Sequence, residues 1–231
     1  MKFIIGDIHA NTTELKKLLR VINIKKNDEL IFLGDYLGKN IYTKETLALL
    51  ELLTKKYACV FIKGNHDFVW DRYLNFGEFE RKDFLLRYGD TESLRQFFPE
   101  PERAIGENKI AAIKEQLKFY VDLLPRMVDF LIVEQYLVLH AGITPEQMNE
   151  DPLRFKEINY FLRLEEIDTE HKYLNKFTMV AGHTFLGVEP TMKPGYINID
   201  LGAGYGHFIG CLCVEKETIF RSDGLTFKYP N

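Results

Sequence analysis

Short apolar runs, each ending in a small polar cluster, recur along the chain. Lys2 to Ile5, Leu30 to Leu33, Cys59 to Ile62, Tyr136 to Leu139 and Phe177 to Ala181 have the length and apolar character of buried strands. Between the first three runs, apolar residues fall at helical spacing. Leu15, Leu18 and Leu19 predict a helix near Thr12 to Val21, and Leu47, Leu50 and Leu53 predict one near Lys44 to Lys55. The Lys16-Lys17 and Lys55-Lys56 pairs fit the solvated faces of those helices. A charged, mostly helical stretch from Phe68 to about Leu124 follows, broken at Pro99 and Pro101. It reads as an elaboration above the strand ends, because later motifs must return to the same place.

After Pro125 the pattern turns to strands. Asp129 to Glu134 and Tyr136 to His140 predict a hairpin around Glu134-Gln135. Helical segments are expected near Pro145 to Glu150 and Phe155 to Leu164. Strands are expected at Phe177 to Ala181, Tyr196 to Ile199, Phe208 to Val214 and Thr218 to Arg221. An αβ first half and a β-rich second half predict an α/β protein with two sheets packed together. The expectation is a single domain over 1–231, with about 68–124 a helical insertion within it.

Composition narrows the class. Apolar residues make up 46% and charged residues 28%, ordinary for a globular protein. No apolar run approaches the roughly 18 residues needed to span a membrane, and the first strand follows Met1 at once, so neither a membrane span nor a cleaved leader is expected. Thirty basic and 34 acidic residues give a formal charge of −4, which argues against broad nucleic-acid binding. Three cysteines do not make a disulfide framework. Cys211 and Cys213, two apart, share one strand face as buried thiols. A cytoplasmic location is the expectation.

The polar clusters carry the chemistry. Gly6-Asp7-Ile8-His9, Gly34-Asp35, Gly64-Asn65-His66-Asp67, His140-Ala141-Gly142 and Gly182-His183-Thr184 each follow a strand-like run. A strand end is a rigid platform, and glycine lets the backbone turn beside a metal. Carboxylate plus neutral imidazole suits manganese, iron or zinc better than calcium or magnesium. The inventory fits a site for two divalent metals. Gly202-Ala203-Gly204-Tyr205-Gly206 mimics a dinucleotide loop but lacks the third-glycine spacing and a following helix.

The order and spacing of these clusters resemble the calcineurin-like metallophosphoesterase superfamily, and within it the bacterial and phage serine/threonine phosphoprotein-phosphatase branch. The resemblance runs from Gly6 through the Asp200-Leu201-Gly202-Ala203-Gly204 segment. It implies two mixed β-sheets packed as a central sandwich flanked by helices. It implies Asp7, His9 and Asp35 as ligands of one metal, and Asp35, Asn65, His140 and His183 as ligands of the other, with Asp35 bridging. Two divalent ions are implied as cofactors, manganese foremost, with iron or zinc as alternatives. The reaction implied is in-line attack on a phosphate monoester by a metal-bridging hydroxide, with His66 protonating the leaving oxygen. Asn65, Lys39 and Arg163 are the implied phosphate contacts, and a phosphoprotein or small phosphate ester is the implied substrate.

The departures matter as much. Where the family reads Gly-Asp-x-x-Asp-Arg-Gly, this chain reads Gly34-Asp35-Tyr36-Leu37-Gly38-Lys39-Asn40. Gly38 replaces an Asp that would orient the catalytic His, so His66 is expected to be a weaker acid unless another carboxylate takes over. Asp67 is the neighbour in sequence. Lys39 replaces an Arg and loses bidentate geometry. Arg163, in Tyr160-Phe161-Leu162-Arg163, stands where related bacterial phosphatases carry a Trp-x-Arg phosphate contact. Arg87-Tyr88-Gly89-Asp90-Thr91 resembles bacterial protein-phosphatase relatives. His140-Ala141-Gly142-Ile143-Thr144-Pro145 instead resembles symmetrical bis(5'-nucleosyl)-tetraphosphatases, the alternative reading, which would make a nucleotide the substrate. Polynucleotide end-processing is disfavoured by the acidic charge. A catalytically weakened, metal-binding regulatory module is the alternative from another class. His171 and His207 are expected to pack or lie at the surface.

Overall fold

Alternate residues of each strand enter different apolar layers, and this sets the architecture. The structure, a computed structural model, describes residues 1–106, 109–144, 147, 158–163, 166 and 176–229. In chain order the strands are β1 (Lys2–Ile5), β2 (Glu29–Phe32), β3 (Ala58–Phe61), β4 (Phe130–Val133), β5 (Tyr136–Leu139), β6 (Thr178–Ala181), β7 (Thr191–Lys193), β8 (Tyr196–Asn198), β9 (Gly210–Cys213), β10 (Thr218–Arg221) and β11 (Thr226–Lys228). They form a six-stranded sheet ordered β11-β10-β9-β1-β2-β3 and a five-stranded sheet ordered β4-β5-β6-β8-β7. β1, β2 and β3 run parallel, as do β5, β6 and β8, while β4, β7, β9, β10 and β11 join by antiparallel pairing.

From the first sheet, Ile4, Ile31, Leu212 and Ile219 share one buried cluster with Val138, Val180 and Ile197 of the second. This layer holds the two sheets face to face, as expected for a sandwich. The opposite face of the first sheet, with Phe3, Ile5, Leu30, Phe32, Cys211 and Cys213, lies under the helices. Both cysteines are fully buried, as their spacing predicts. Leu137, Leu139, Met179 and Ala181 point away from the first sheet into a third, smaller cluster with Ile143 and Leu162.

Helix α1 (Thr12–Ile22) starts where the Asn11 side chain accepts the Glu14 N–H, and stops at Asn23 in the left-handed region. It buries Leu15, Leu18 and Ile22; α2 (Thr43–Lys56) buries Leu47, Leu50 and Leu53. The third helix, α3 (Asn65–Asn75), begins directly after β3 and holds Asn65 and His66 in its first turn. The stretch to Leu124 continues as short pieces: α4 (Lys82–Arg87), a 3₁₀ turn at Asp90–Leu94, α5 (Pro101–Gly106), α6 (Ile110–Gln116) and α7 (Lys118–Leu123). Pro101 takes the first position of α5, where its missing N–H costs nothing. Leu85, Leu94, Ile105, Ile113 and Tyr120 from this stretch join the same cluster as Phe3 and Leu15.

The structure differs from expectation at the margins. β7 and β11 are three-residue edge strands carrying Thr and Lys, with no apolar run to announce them; β8 and β10 supply their pairing. Ile158 to Arg163 form a turn, not a helix. The other helix expected near Pro145 to Glu150 lies almost wholly outside the described residues, as does His171. No helix among the described residues is long and apolar enough to cross a membrane.

Asp67 braces the end of this framework. Its carboxylate, fully buried, accepts the Asp35 N–H at 2.7 Å, the Gly64 N–H at 2.9 Å and the Tyr120 hydroxyl at 2.6 Å. It ties the loops after β2 and β3 to α7. Asp67→Ala would leave these donors buried and unpaired, so a loss of about 3 kcal/mol or more is expected in urea unfolding, against about 1 kcal/mol for Tyr120→Phe. Equal, small effects would contradict this bracing role.

Candidate metal centre

All the sequence clusters come together at the C-terminal ends of β1, β2, β3, β5 and β6. Asp7 and His9 follow β1, Asp35 follows β2, Asn65 and His66 open α3, His140 follows β5 and His183 follows β6. Parallel strands bring their C-terminal ends to one edge, which is where open α/β sheets bind ligands. Turning the chain there is costly. His9 (φ 45°), Asp35 (φ 51°), Lys39 (φ 62°) and His183 (φ 66°) all sit in the left-handed region, where strain of about 1 kcal/mol or more per residue is usual. Ala10, Asn23, Glu134 and Glu217 share that region among the described residues, the last two in sheet turns, so half of the eight such residues are ones singled out for chemistry. Glycines allow the closest approaches, since a Cβ at Gly182 would meet Asp7 Oδ1 at 2.0 Å and one at Gly64 would meet Asp35 Oδ1 at 2.2 Å.

Two groups of donors share Asp35. One is His9, Asp35 and His66; the other is Asp35, His140 and His183; within each, the ligand atoms lie within 4.8 Å of one another. His9 Nε2 is 3.4 Å from Asp35 Oδ2, and His140 Nε2 is 3.5 Å from Asp35 Oδ1. His140 Nε2 and His183 Nδ1 each lie 2.9 Å from Asn65 Oδ1. Asp7 stands at the margin, its Oδ2 4.0 Å from His9 Nε2, and accepts the His183 N–H.

Backbone carbonyls orient the rings. Leu37 O faces His9 Nδ1 at 3.1 Å, and Leu33 O faces His140 Nδ1 at 2.8 Å. A proton committed to each carbonyl leaves Nε2 as a lone pair aimed at Asp35. Burial holds the His9 and His140 imidazoles below their ordinary range, and burial with His140 nearby pulls His183 down to about 3. These are neutral rings, the form that ligates metal. Burial opposes ionisation of Asp35, but the facing His140, His66 and His9 outweigh it and its pKa falls. Asp7 goes the other way: burial, then Asp200 and Asp35, push it well above the usual carboxylate range. Lone pairs and carboxylates therefore converge without enough protons to reconcile them. Among the described residues His183 Nε2 is also buried with no partner. This donor set fits divalent cations of borderline hardness.

His66 is built differently. Its ring lies edge-on to His9 at 5.0 Å, and its Nδ1 is 2.8 Å from Asp90 Oδ2. Burial lowers the affinity of His66 for a proton, but Asp90 and then Asp35 more than offset this and push its pKa up to about 9. Asp67, the neighbour in sequence, does not serve it, because that carboxylate is committed to Asp35, Gly64 and Tyr120. The resemblance of Arg87 to Thr91 to bacterial phosphatases did not identify this pairing, which joins a 3₁₀ turn to a helix residue 24 positions away.

A cleft of about 700 Å³ opens onto this centre. Lys39 and Arg163, the cations expected to contact phosphate, both line it, and Arg87 adds a further cation. Lys39 Nζ is 3.2 Å from His9 Nε2 and 4.8 Å from the Tyr205 ring. Phe84, Tyr88, Phe161, Phe185 and Tyr205 form apolar walls. Asp200, also missed as a site residue, is buried beside the centre and raised to about 6 by burial, partly offset by the Gly202 N–H. Gly202 to Gly206 make a 3₁₀ turn at the rim and open no helix, so the dinucleotide-loop likeness fails. His207 stacks on Phe185 at 5.6 Å.

A family model described as calcineurin-like phosphoesterase matches residues 3–218. Among solved structures, a candidate diadenosine tetraphosphatase aligns over 100% of this chain and 94% of its own, at 19% identity and a TM-score of 0.60. The cold-active protein-tyrosine phosphatase of a psychrophilic Shewanella species aligns over 99% of this chain and 80% of its own, at 15% identity and 0.64. A protein serine/threonine phosphatase from Saccharomyces cerevisiae, with similarity to human phosphatase PP5, aligns over 100% and 80%, at 12% identity and 0.59. At these identities the likeness to solved structures is one of fold.

Proposed function

Because the chain belongs to the calcineurin-like phosphoesterase family of metal-dependent hydrolases, we propose that it hydrolyses phosphate monoesters at a dinuclear centre, as a serine/threonine-phosphatase-like enzyme. The observation that carries this reading is Asp35, one carboxylate shared by two pairs of imidazoles, His9 with His66 and His140 with His183. In it Asp7, His9 and Asp35 hold one cation, and Asp35, Asn65, His140 and His183 the other, manganese being the first choice. Residues 1–231 act as one catalytic domain, and the helical insertion of about 68–124 shapes the cleft.

Bound divalent cations would supply charge neutralisation at the phosphoryl oxygens and a lowered pKa for water. The chain's own residues do the rest. Lys39, Arg163 and Asn65 bind and orient the phosphoryl group against its spread of negative charge. His66, its ring held by Asp90, gives a proton to the departing ester oxygen. The aromatic walls hold the substrate's apolar part and keep water away.

Two experiments test this. The manganese-loaded protein should turn over a phosphoserine peptide and p-nitrophenyl phosphate faster than diadenosine tetraphosphate. Turnover of the dinucleotide alone would contradict the monoester reading, and bound metal without turnover on any ester would favour the regulatory module. Chelation should abolish turnover and manganese restore it. Saturating metal, at about 100 times its Kd, should stabilise the fold by about 2.7 kcal/mol. That corresponds to a Tm rise of roughly 5–10 °C for a chain of this length. A Tm unmoved by manganese would count against a built centre.

A further inference from the structure

We propose that Asp90 is the positioning residue of His66, and that Gly38 is the vacancy that lets it in. This rests on the phosphoesterase reading above. Where the resembled phosphatases carry an Asp at the position of Gly38, this chain has removed one carboxylate and delivered another from a different segment to the same spot. Gly38 has φ +88°, and a Cβ built on it would lie 3.2 Å from Asp90 Oδ1 and 3.3 Å from His66 Nδ1. The glycine thus stands against the hydrogen bond that it would otherwise obstruct.

Asp90 is held there by contacts that leave it little freedom. It is fully buried at the start of the 3₁₀ turn, and the Trp70 indole N–H donates to its Oδ1 at 2.9 Å. That leaves Oδ2 for His66 Nδ1 at 2.8 Å. The turn itself is fastened to the loop after β2. Lys39 N–H donates to Gly89 O at 2.8 Å, and Gly38 N–H donates to the buried Ser93 hydroxyl at 2.6 Å. A carboxylate on one imidazole nitrogen fixes the proton there and aims the other nitrogen at its task, the logic of base and orienter in a triad. Here the aimed atom is His66 Nε2, 3.9 Å from Asp35 Oδ2 and facing the cleft.

Trp70 also makes the test sharp. In Asp90→Asn the indole N–H would claim the amide oxygen, turning the amide NH₂ toward His66 Nδ1. The ring would then have to accept at Nδ1 and carry its proton at Nε2 in the neutral state, the reverse of the wild-type arrangement. For the manganese-loaded full chain, kcat on a phosphoserine peptide should fall about 10²-fold in Asp90→Asn, within the usual range for general acid catalysis. The loss on 2,4-dinitrophenyl phosphate, whose leaving group needs no proton, should be no more than about threefold, with metal content unchanged. Asp90→Asn in a His66→Asn background should add nothing further. Gly38→Ala should show the same leaving-group signature.

Equal losses on both esters, or loss of bound metal, would overturn the proposal, the latter making His66 and Asp90 part of a cation site. If the wild type turns over no phosphate ester, the functional reading fails by itself. Nitrogen-15 histidine NMR still decides the Asp90 role. A His66 proton on Nδ1 in the wild type that moves in Asp90→Asn supports it, and a ring unaffected by the substitution refutes it.

Discussion

Asp35→Asn is expected to lower turnover on every phosphate ester by about three orders of magnitude or more, since metal ions contribute several kcal/mol to such reactions and each 1.36 kcal/mol is tenfold. Asp35 Oδ2 faces His9 and Asp35 Oδ1 faces His140, so each oxygen belongs to a different donor group. An amide offers one oxygen and no charge, and cannot serve both. Folding should survive the change. The backbone N–H of Asp35, which Asp67 accepts, is untouched, and an amide oxygen can still accept the His66 N–H at 3.1 Å. Calorimetric titration with manganese should find fewer equivalents than the wild type binds. Full retention of metal and rate would remove Asp35 from the bridging role.

His66→Asn carries the second large effect, and it is selective. Loss of a positioned general acid costs about 10²–10⁴-fold where the leaving oxygen is a poor alkoxide, and far less where it is an activated phenolate. A phosphoserine peptide and 2,4-dinitrophenyl phosphate span that range. His66 is suited to this role because Asp90 and Asp35 raise its pKa to about 9 against the cost of burial, so the ring carries a proton at neutral pH. The other imidazoles at the centre, held neutral by burial, are suited to binding a cation. Metal binding by the variant should be close to wild type. If its metal content drops instead, His66 belongs with His9 and Asp35 as a ligand.

Much of this was legible in the chain because its signals are local. Apolar runs such as Ile31 to Leu33 end in Gly-Asp, and a strand followed by a forced turn places a carboxylate at a sheet edge wherever the sheet goes. The parallel order of β1, β2 and β3 then brings those edges together. Which face of β1 each residue takes was not read from the run: Ile4 meets the second sheet, whereas Phe3 and Ile5 meet the helices. β7 and β11 were not legible, since edge strands of three residues are defined by their partners and not by their own side chains. Ile158 to Arg163, the described part of the helix expected near Phe155 to Leu164, form a turn. There Phe161 packs on Phe68 and Phe84, so tertiary contacts decide the conformation.

The partner of His66 shows the same limit at the site. Adjacency in sequence pointed to Asp67, but in the first turn of a helix neighbouring side chains point in different directions. Asp67 turns to the loops and Tyr120, whereas His66 turns to the cleft. The carboxylate that serves His66 comes from a turn whose place depends on Trp70, Ser93 and the backbone of Lys39. No periodicity records such an arrangement. Asp200, named only as the end of the resemblance, was given no place at the site for a similar reason, since its relation to Asp7 arises only in the folded chain.

In the proposed centre one carboxylate, Asp35, would join two cations. Electron paramagnetic resonance of the manganese-titrated protein tests it most directly. At two equivalents the wild type should give the broadened spectrum of an exchange-coupled pair, and Asp35→Asn should not. Two uncoupled six-line signals in the wild type, or saturation at a single equivalent, would contradict the shared centre.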